Sequence, residues 1–312
     1  MPLRTTGPSV VDVRLALVDR IPPQAFFVVS AVFHYLGPAF AVVLFRSVPP
    51  LGVAWLRIAT AAVVFAVWRK PWRLIAGLSS MERLTVVGLG VTLALMNVCF
   101  YEAIARLQLA TVGAIEFIGP ITLAAIGMRT ARNMMALLLA VGGAYLLTDI
   151  RLTSAVVGYL FAFANCGLFM VYIVLGHRIS SGGGMMGGID RLGAAMLIAM
   201  LAALPIGIRE ATSAFYNPIL LLAAVGVGVT SSVIPYICDQ LAMARLSRAT
   251  FALLLSLLPA TASAIGLLVL RQIPTARDLL GIGLVISGVA LHQSITTEPN
   301  DTAYKPRRRH AG

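Results

Sequence analysis

Long apolar runs dominate this chain, and their lengths predict helices that cross a membrane. Ten runs stand out, at residues 25–44, 51–67, 84–105, 111–128, 134–147, 155–176, 192–208, 219–238, 250–270 and 279–295. Because a helix needs about 20 apolar residues to cross about 30 Å of hydrocarbon, the fifth run is short, and we expect its boundaries to extend. Five predicted spans fall in each half of the chain.

Two segments, one from each half, repeat each other. Residues 103–127 and 242–266 align without a gap at an offset of 139, and 11 of the 25 positions are identical. Apolar composition alone does not explain matches such as Arg106 with Arg245 and Pro120 with Pro259. We interpret the match as a duplication. Because five is an odd number of spans, the second copy must be inverted, an arrangement found in many secondary transporters.

Composition agrees with a membrane location, because 59% of the 312 residues are apolar, 12% are charged and the mean hydropathy is +0.91. No soluble domain could bury so much apolar surface. The expected fold is therefore an all-α integral membrane protein with ten transmembrane helices in two inverted five-helix repeats. The repeats would occupy residues 25–149 and 150–296, between an N-terminal segment at 1–24 and a basic, disordered tail at 297–312.

The distribution of basic residues predicts the orientation. With the N-terminus inside, the inner segments carry sixteen Lys and Arg residues and the outer segments carry six. This positive-inside bias places both termini in the cytoplasm. The net charge of +12 follows from this topology, so contact of the tail with anionic lipid is favoured over nucleic-acid binding. Residues 180–188 read SSGGGMMGG and predict a flexible connector that is too glycine-rich for a helix.

Motifs for enzymatic or metal chemistry are absent from the sequence. The chain lacks HExxH and GxSxG patterns, and its four histidines show no metal-ligand spacing. Its three cysteines, Cys99, Cys166 and Cys238, lie within apolar runs and are expected to be buried as small hydrophobic residues. We therefore predict neither an enzyme nor a cofactor or metal.

Two prolines suggest where a binding site lies. Pro120, preceded by Gly119, and Pro259 occupy the same repeat position near the middle of spans four and nine. A proline there removes a helical hydrogen bond and frees the carbonyl group four residues earlier. Interrupted helices at matching places in two halves are typical of a transporter's central site, so these residues are the predicted hinges. The alternative is that both prolines only kink helices that face lipid.

Glu116 is the most unusual residue of the apolar spans, since its repeat partner is Leu255. A dry environment disfavours an ionised carboxylate, so this acid is the candidate proton-coupling group. A fixed ion pair with Arg57 is the alternative. Arg57 and Arg191 lie near the starts of the second span of each half, where each either holds a carboxylate or extends to the head groups.

Other polar residues within the spans complete the candidate site. Each either faces a cavity or forms a hydrogen bond between helices. The predicted substrate-binding residues are His34, Arg57, Asn97, Tyr101, Glu116, Asn165 and Tyr236, and the predicted gating residues are Glu102, Asp239 and Arg191.

Five segments carry a further signal: LRIATAA at Leu56, KPWRL at Lys70, ATVGAIEFIGP ending at Pro120, IPY ending at Tyr236, and LLPATASAIGLLVL ending at Leu270. Together they resemble the drug/metabolite transporter superfamily, within it the EamA family, and most closely its inner-membrane threonine/homoserine exporters. After the ninth span the family commonly has Gly-Glu, whereas this chain has Arg271 and Gln272.

The resemblance implies secondary active export of small amino acids or related metabolites by two inverted five-helix halves. The expected partners are a small-molecule substrate, protons and the lipid bilayer, with association into a homodimer left open. Export of drugs or other metabolites, and passive facilitation by the same fold, are the alternatives at this point.

Overall fold

The computed structural model describes residues 21–75, 77–127, 130–147, 153–180, 184–246 and 257–291, and these residues form no β-strand. Ten long helices account for most of them: α1 (Pro23–Leu44), α2 (Pro50–Arg69), α3 (Ser80–Ile104), α4 (Leu109–Gly127), α5 (Ala131–Leu147), α6 (Thr153–Ser180), α7 (Gly184–Gly207), α8 (Pro218–Met243), α9 (Leu257–Leu270) and α10 (Ala276–Leu291). The predicted all-α fold is confirmed.

Six helices are long and apolar enough to cross a membrane: α1, α2, α3 and α8 over their whole lengths, α6 over Val156–Ser180 and α7 over Gly187–Gly207. Shorter apolar stretches lie in α4, α5 and α9. The short fifth run is extended as expected, since α5 begins at Ala131. The composition of these helices therefore supports a multi-pass membrane protein.

Prolines and N-capping side chains mark the starts of several helices. Prolines occupy the first turn of α1, α2 and α8, where a missing N–H costs no intrahelical hydrogen bond. At α3, the Ser79 hydroxyl accepts from the Glu82 backbone N–H while the Glu82 carboxylate accepts from the Ser79 N–H, which forms a capping box. Asn217 caps α8 through its side-chain oxygen.

Helix packing has the same arrangement in both halves. Helix α3 packs on α6 and α7, as α8 packs on α1 and α2. Helix α4 packs on α6, as α9 packs on α1, while α2 with α7, α4 with α9 and α5 with α10 pair across the halves. If each helix of a pair is replaced by its counterpart five helices away in the chain, the result is again one of these pairs.

Backbone geometry repeats as well. In the turn after α3, the N–H groups of Arg106 and Leu107 donate to Ala103 O at 3.0 and 2.8 Å. After α8, 139 residues on, Arg245 and Leu246 donate to Ala242 O at 3.1 and 2.8 Å. The two segments thus share a local structure as well as a sequence.

The prediction for the connector at residues 180–188 is wrong in part. Helix α7 begins at Gly184, while residues 181–183 lie outside the described part of the chain. At Gly188 the packing is close, because a Cβ there would lie 2.9 Å from the Gln240 Oε1 atom of α8. The absence of a side chain admits α8 at this point, and tertiary contacts outweigh a low helix propensity.

In the fourth span, α4 is helical from Leu109 to Gly127, so the hinge at Pro120 stays a prediction. In the ninth span, the carbonyl expected to be freed by Pro259 belongs to residue 255, outside the described residues. The observed irregularity lies instead in α8, where Val229–Val233 forms a π-helical turn and Ile234 N–H donates to Val229 O. Such turns occur frequently at functional sites.

Candidate functional site

Buried polar side chains from α1, α2, α3, α4, α6 and α8 surround the irregular turn of α8 and the buried acid of α4. They are Ser30, His34, Arg57, Asn97, Glu116, Asn165, Ser231, Ser232 and Asp239, together with the buried tyrosines Tyr35, Tyr101, Tyr172 and Tyr236. Polar groups inside membrane-spanning helices are costly and mark functional sites. This cluster is therefore the candidate site.

Glu116 lies in a cradle of neutral donors and is 2% exposed. Asn165 Nδ2 donates to its Oε1 atom at 3.0 Å, and the Tyr35 hydroxyl donates to Oε2 at 3.2 Å. His34 Nε2 lies 3.8 Å from Oε2. Within the described part of the chain, no arginine or lysine forms a salt bridge with Glu116, so the alternative of a fixed pair with Arg57 is not observed.

Arg57 binds α8 instead. Its Nε atom donates to Ser232 Oγ at 2.6 Å, and Nη2 donates to the Ser231 carbonyl at 2.7 Å. The guanidinium lies 5.3 Å from the centre of the Tyr101 ring, a cation–π contact. Because Pro235 has no N–H, the Ser231 carbonyl lacks its usual helical donor. Arg57 supplies that donor, so the irregular turn and the buried cation stabilise each other.

The irregular turn also touches α1. A Cβ at Gly37 would lie 2.3 Å from Ser231 Cβ and 2.8 Å from the Ser231 backbone, so only glycine fits there. The segment is thus held between α1 and α2. Sequence reasoning missed Ser231 and Ser232, although Pro235 four residues after Ser231 carried the same signal as Pro120.

Several polar atoms at this site have unused hydrogen-bonding capacity. Asn97 donates through Nδ2 to its own helix at Leu93 O and lies beside Tyr236, its counterpart at the offset of 139. Among the described residues, the Tyr101 hydroxyl and Asn165 Oδ1 have no hydrogen-bond partner. Because buried polar groups are normally satisfied, these atoms are available to a ligand or water.

Asp239 forms the second acidic centre and is 8% exposed. The Ser30 hydroxyl donates to its Oδ1 atom at 2.5 Å, and the Tyr172 hydroxyl lies 3.5 Å from Oδ2. Sequence reasoning missed Ser30 and Tyr172, since isolated hydroxyl residues in apolar helices carry no distinctive pattern.

The other two predicted gating residues, Glu102 and Arg191, both form ion pairs. Glu102 forms an ion pair with Arg106 one turn later in the chain. Arg191 pairs with Glu82 of α3 at 2.7 Å, next to an Arg69–Asp190 pair between α2 and α7. The structure therefore places Arg191 in an interhelical contact rather than alone at the membrane surface.

The predicted hinge residues differ in their surroundings. Gly119 packs on α6, where a Cβ would lie 2.7 Å from Met170 Cγ. Pro259 is buried, and the side chain of Pro120 lies outside the description. Gln272, at the position where the resembling family commonly has Glu, accepts a hydrogen bond from the Leu109 N–H at the start of α4. An acidic residue is therefore not needed to cap α4.

The described residues include no group of three or more His, Cys, Asp and Glu side chains that could hold a metal ion. Cys166 and Cys238 are buried as expected, and Cys99 is partly buried.

Comparison with known proteins identifies relatives. The EamA-like transporter family matches residues 156–292. The threonine/homoserine exporters RhtA of Escherichia coli and of Salmonella typhimurium are each 30% identical over 254 residues, which cover 80% of this chain and 84% of theirs.

A solved crystal structure superposes on this chain with a TM-score of 0.54 at 18% identity. The match covers 86% of this chain and 97% of that one, and it supports the fold alone. Together, the exporter identities and the family match show that the chain belongs to the EamA-like transporter family.

Proposed function

We propose that this chain is a proton-coupled secondary active transporter that exports small amino acids of the threonine and homoserine kind, or related metabolites, across the inner membrane. The observation that carries the proposal is Glu116, a buried carboxylate held by neutral donors and a histidine. An acid without a salt-bridging arginine or lysine is free to exchange a proton with water or cargo. The similarity to threonine/homoserine exporters supports the direction of transport and the cargo class.

The proposed topology has all ten long helices crossing the membrane, with the second half inverted and both termini in the cytoplasm. Three observations support it: the offset of 139, the equivalent turns after α3 and α8, and the matching helix pairs of the two halves. In this topology α1 runs outward, so Glu116, near the start of α4, lies toward the outer side of the site.

The proposed mechanism is alternating access around the polar cluster, between α1–α4 and α6–α9. The cargo carboxylate would bind Arg57, whose guanidinium gives a forked donor, and the ammonium group would bind Glu116 or Asn97. Proton entry at Glu116 from outside would weaken its attraction for the ammonium group and release the cargo outward. One chain supplies every residue in this cycle, so a homodimer is not required.

Energetics allow one proton to drive such a cycle. Moving one charge through 100 mV supplies about 2.3 kcal/mol, enough to bias a two-state transporter. The decisive experiment measures uptake of radiolabelled threonine into proteoliposomes with and without an imposed pH gradient. We expect concentration above equilibrium only with the gradient. Equilibration without concentration would instead identify a passive facilitator.

Cargo identity is tested in whole cells that overexpress the chain. Unlabelled amino acids are compared as competitors of threonine export, with a hydrophobic cationic drug as a further competitor. Competition by threonine, homoserine and serine supports the proposed cargo class. Competition by the drug alone would make the chain a drug exporter.

A further inference from the structure

Between α1, α6, α8 and α9, a narrow pocket lies beside the second acid of the site. Its polar wall consists of Ser30, His34, Tyr172 and Asp239, and its apolar wall includes Phe169 and Ile173. Glu116 does not line it. The pocket is thus a second place where a small polar group could bind.

The charge of this pocket is not neutralised by a fixed cation. Among the described residues, Asp239 forms no salt bridge with an arginine or lysine. Its contacts are with the hydroxyl groups of Ser30 and Tyr172, and the one titratable base beside it is His34. A buried carboxylate with neutral partners attracts a cation, because burial reduces screening by water.

The size and position of the pocket identify which cationic group fits. It has room for about one water molecule, which is also the size of an ammonium group. Phe27 lies near the start of α1, Met243 ends α8 and Leu258 lies near the start of α9, and all three line the pocket. These helix ends lie on the cytoplasmic side of the proposed topology, from which an exporter loads its cargo.

We infer that this pocket is the cytoplasmic ammonium subsite. Asp239, oriented by Ser30, binds the ammonium group of the incoming cargo, and Phe169 and Ile173 contact its carbon chain. The inference rests on the proposed export function and assigns the first ammonium contact to Asp239 rather than to Glu116. Both Glu116 oxygens already accept hydrogen bonds, at 3.0 and 3.2 Å, whereas Asp239 Oδ2 has only Tyr172 at 3.5 Å.

Two analogues of the cargo test the binding of its ammonium group and of its carboxylate separately. Threoninol keeps the ammonium group of threonine but lacks the carboxylate, and 2,3-dihydroxybutanoate keeps the carboxylate but lacks the ammonium group. Binding of each is measured on the purified full chain in detergent. In Asp239→Asn, we expect threoninol binding to weaken about tenfold or more, since a charge-assisted contact is lost. Binding of 2,3-dihydroxybutanoate should not change.

Three further variants control the test. Asp239→Glu keeps the charge and should restore threoninol binding at least in part, which excludes simple misfolding. Ser30→Ala should weaken threoninol binding less than Asp239→Asn does. Asp278→Asn removes a carboxylate that accepts from Thr275 at the start of α10, and it should bind both analogues as the unmodified chain does.

The outcomes distinguish this inference from the proposed function. Unchanged threoninol binding in Asp239→Asn overturns the subsite, even if threonine transport is demonstrated. Equal losses for both analogues also overturn it, because they indicate a general disturbance. If the unmodified chain transports no amino acid but binds threoninol through Asp239, the subsite stands and the proposed function fails.

Discussion

Helices α3 and α8 occupy equivalent places in the two repeats, yet they differ where the site lies. Both end at matching residues, Ile104 and Met243, and both continue into turns with the same hydrogen bonds. Helix α3 is a regular α-helix, whereas α8 contains the π-helical turn Val229–Val233. The shared parts build the scaffold, and the difference provides an irregular backbone segment that Arg57 binds.

Helices α4 and α9 also occupy equivalent places and differ in one side chain. Glu116 interrupts the apolar sequence of α4, while the matching position 255 is Leu. One member of each helix pair therefore carries a feature that its partner lacks: a carboxylate in α4 and an irregular turn in α8. Substitutions can alter either the shared scaffold or these two features.

The largest expected effect comes from removing the guanidinium that binds the irregular turn. Arg57→Leu leaves the Ser231 carbonyl and the Ser232 hydroxyl without their donor, which we expect to lower the free energy of unfolding by about 3 kcal/mol. Chemical unfolding of the purified protein in detergent measures this change. Arg209→Leu, at an exposed position, is the matched control and should stay within about 0.5 kcal/mol of the unmodified chain.

A double-mutant cycle sharpens the assignment. Pro235→Ala restores a backbone N–H that can donate to the Ser231 carbonyl, so it should recover about 1 kcal/mol in the Arg57→Leu background. With Arg57 present the carbonyl already has a donor, and the gain should be smaller. The same gain in both backgrounds would show that Arg57 does not compensate for the proline.

The scaffold is tested next at glycines where helices of opposite halves approach closely. A Cβ at Gly90 of α3 would lie 2.7 Å from the Ala195 carbonyl oxygen of α7, and one at Gly228 of α8 would lie 2.5 Å from Thr60 Cβ of α2. Each substitution to Ala should lower the unfolding free energy by about 1–3 kcal/mol. Thermal unfolding in detergent provides the ranking.

Each close glycine has a neighbour two residues away that serves as its control. A Cβ at Gly88 meets one methyl group at 3.7 Å, and one at Gly226 meets nothing within 4 Å. Alanine at either position should leave stability unchanged or raise it by up to about 1 kcal/mol, because alanine favours helix. Equal losses at all four positions would refute the packing explanation.

Much of this scaffold could be predicted from the sequence, because apolar run length and an ungapped repeat reflect local chemistry. The runs located most helix ends to within a few residues, whereas α7 begins at Gly184, well before its predicted run at 192–208. The repeat also located equivalent turns. Glu116 could be identified from the sequence because an ionisable residue is costly within an apolar span and therefore indicates a functional site.

The partners of those residues could not be predicted. Which helix faces Arg57 depends on helix rotation, so the sequence left it open between Glu116, a cargo and lipid, whereas the structure places it on Ser231 and Ser232. The irregular turn of α8 could not be predicted for a related reason. A proline frees a carbonyl, and the sequence does not show which neighbouring side chain supplies a new donor, as Arg57 does in α8.

The proposed role of Glu116 in proton coupling is tested by Glu116→Gln, which keeps the shape of the side chain but cannot exchange a proton. Per coupled proton, a pH difference of one unit allows about tenfold accumulation, and we expect the variant to lose all of it. Uptake of radiolabelled threonine into proteoliposomes measures the loss, with Glu210→Gln as control. Full pH-driven accumulation in Glu116→Gln would show that another group carries the proton.

The smallest expected effect concerns a contact that both repeats keep. Arg106 lies 5.6 Å from the ring centre of Phe161 on α6, and Arg245 lies 4.9 Å from that of Phe26 on α1. Replacing either ring by Leu keeps much of the apolar contact and removes the cation–π term, so each variant should lose about 0.5–1 kcal/mol of unfolding free energy. Because the two contacts are equivalent, Phe26→Leu and Phe161→Leu should shift thermal unfolding by similar amounts. A loss confined to one of them would mean that the repeats share this geometry without sharing its energetic role.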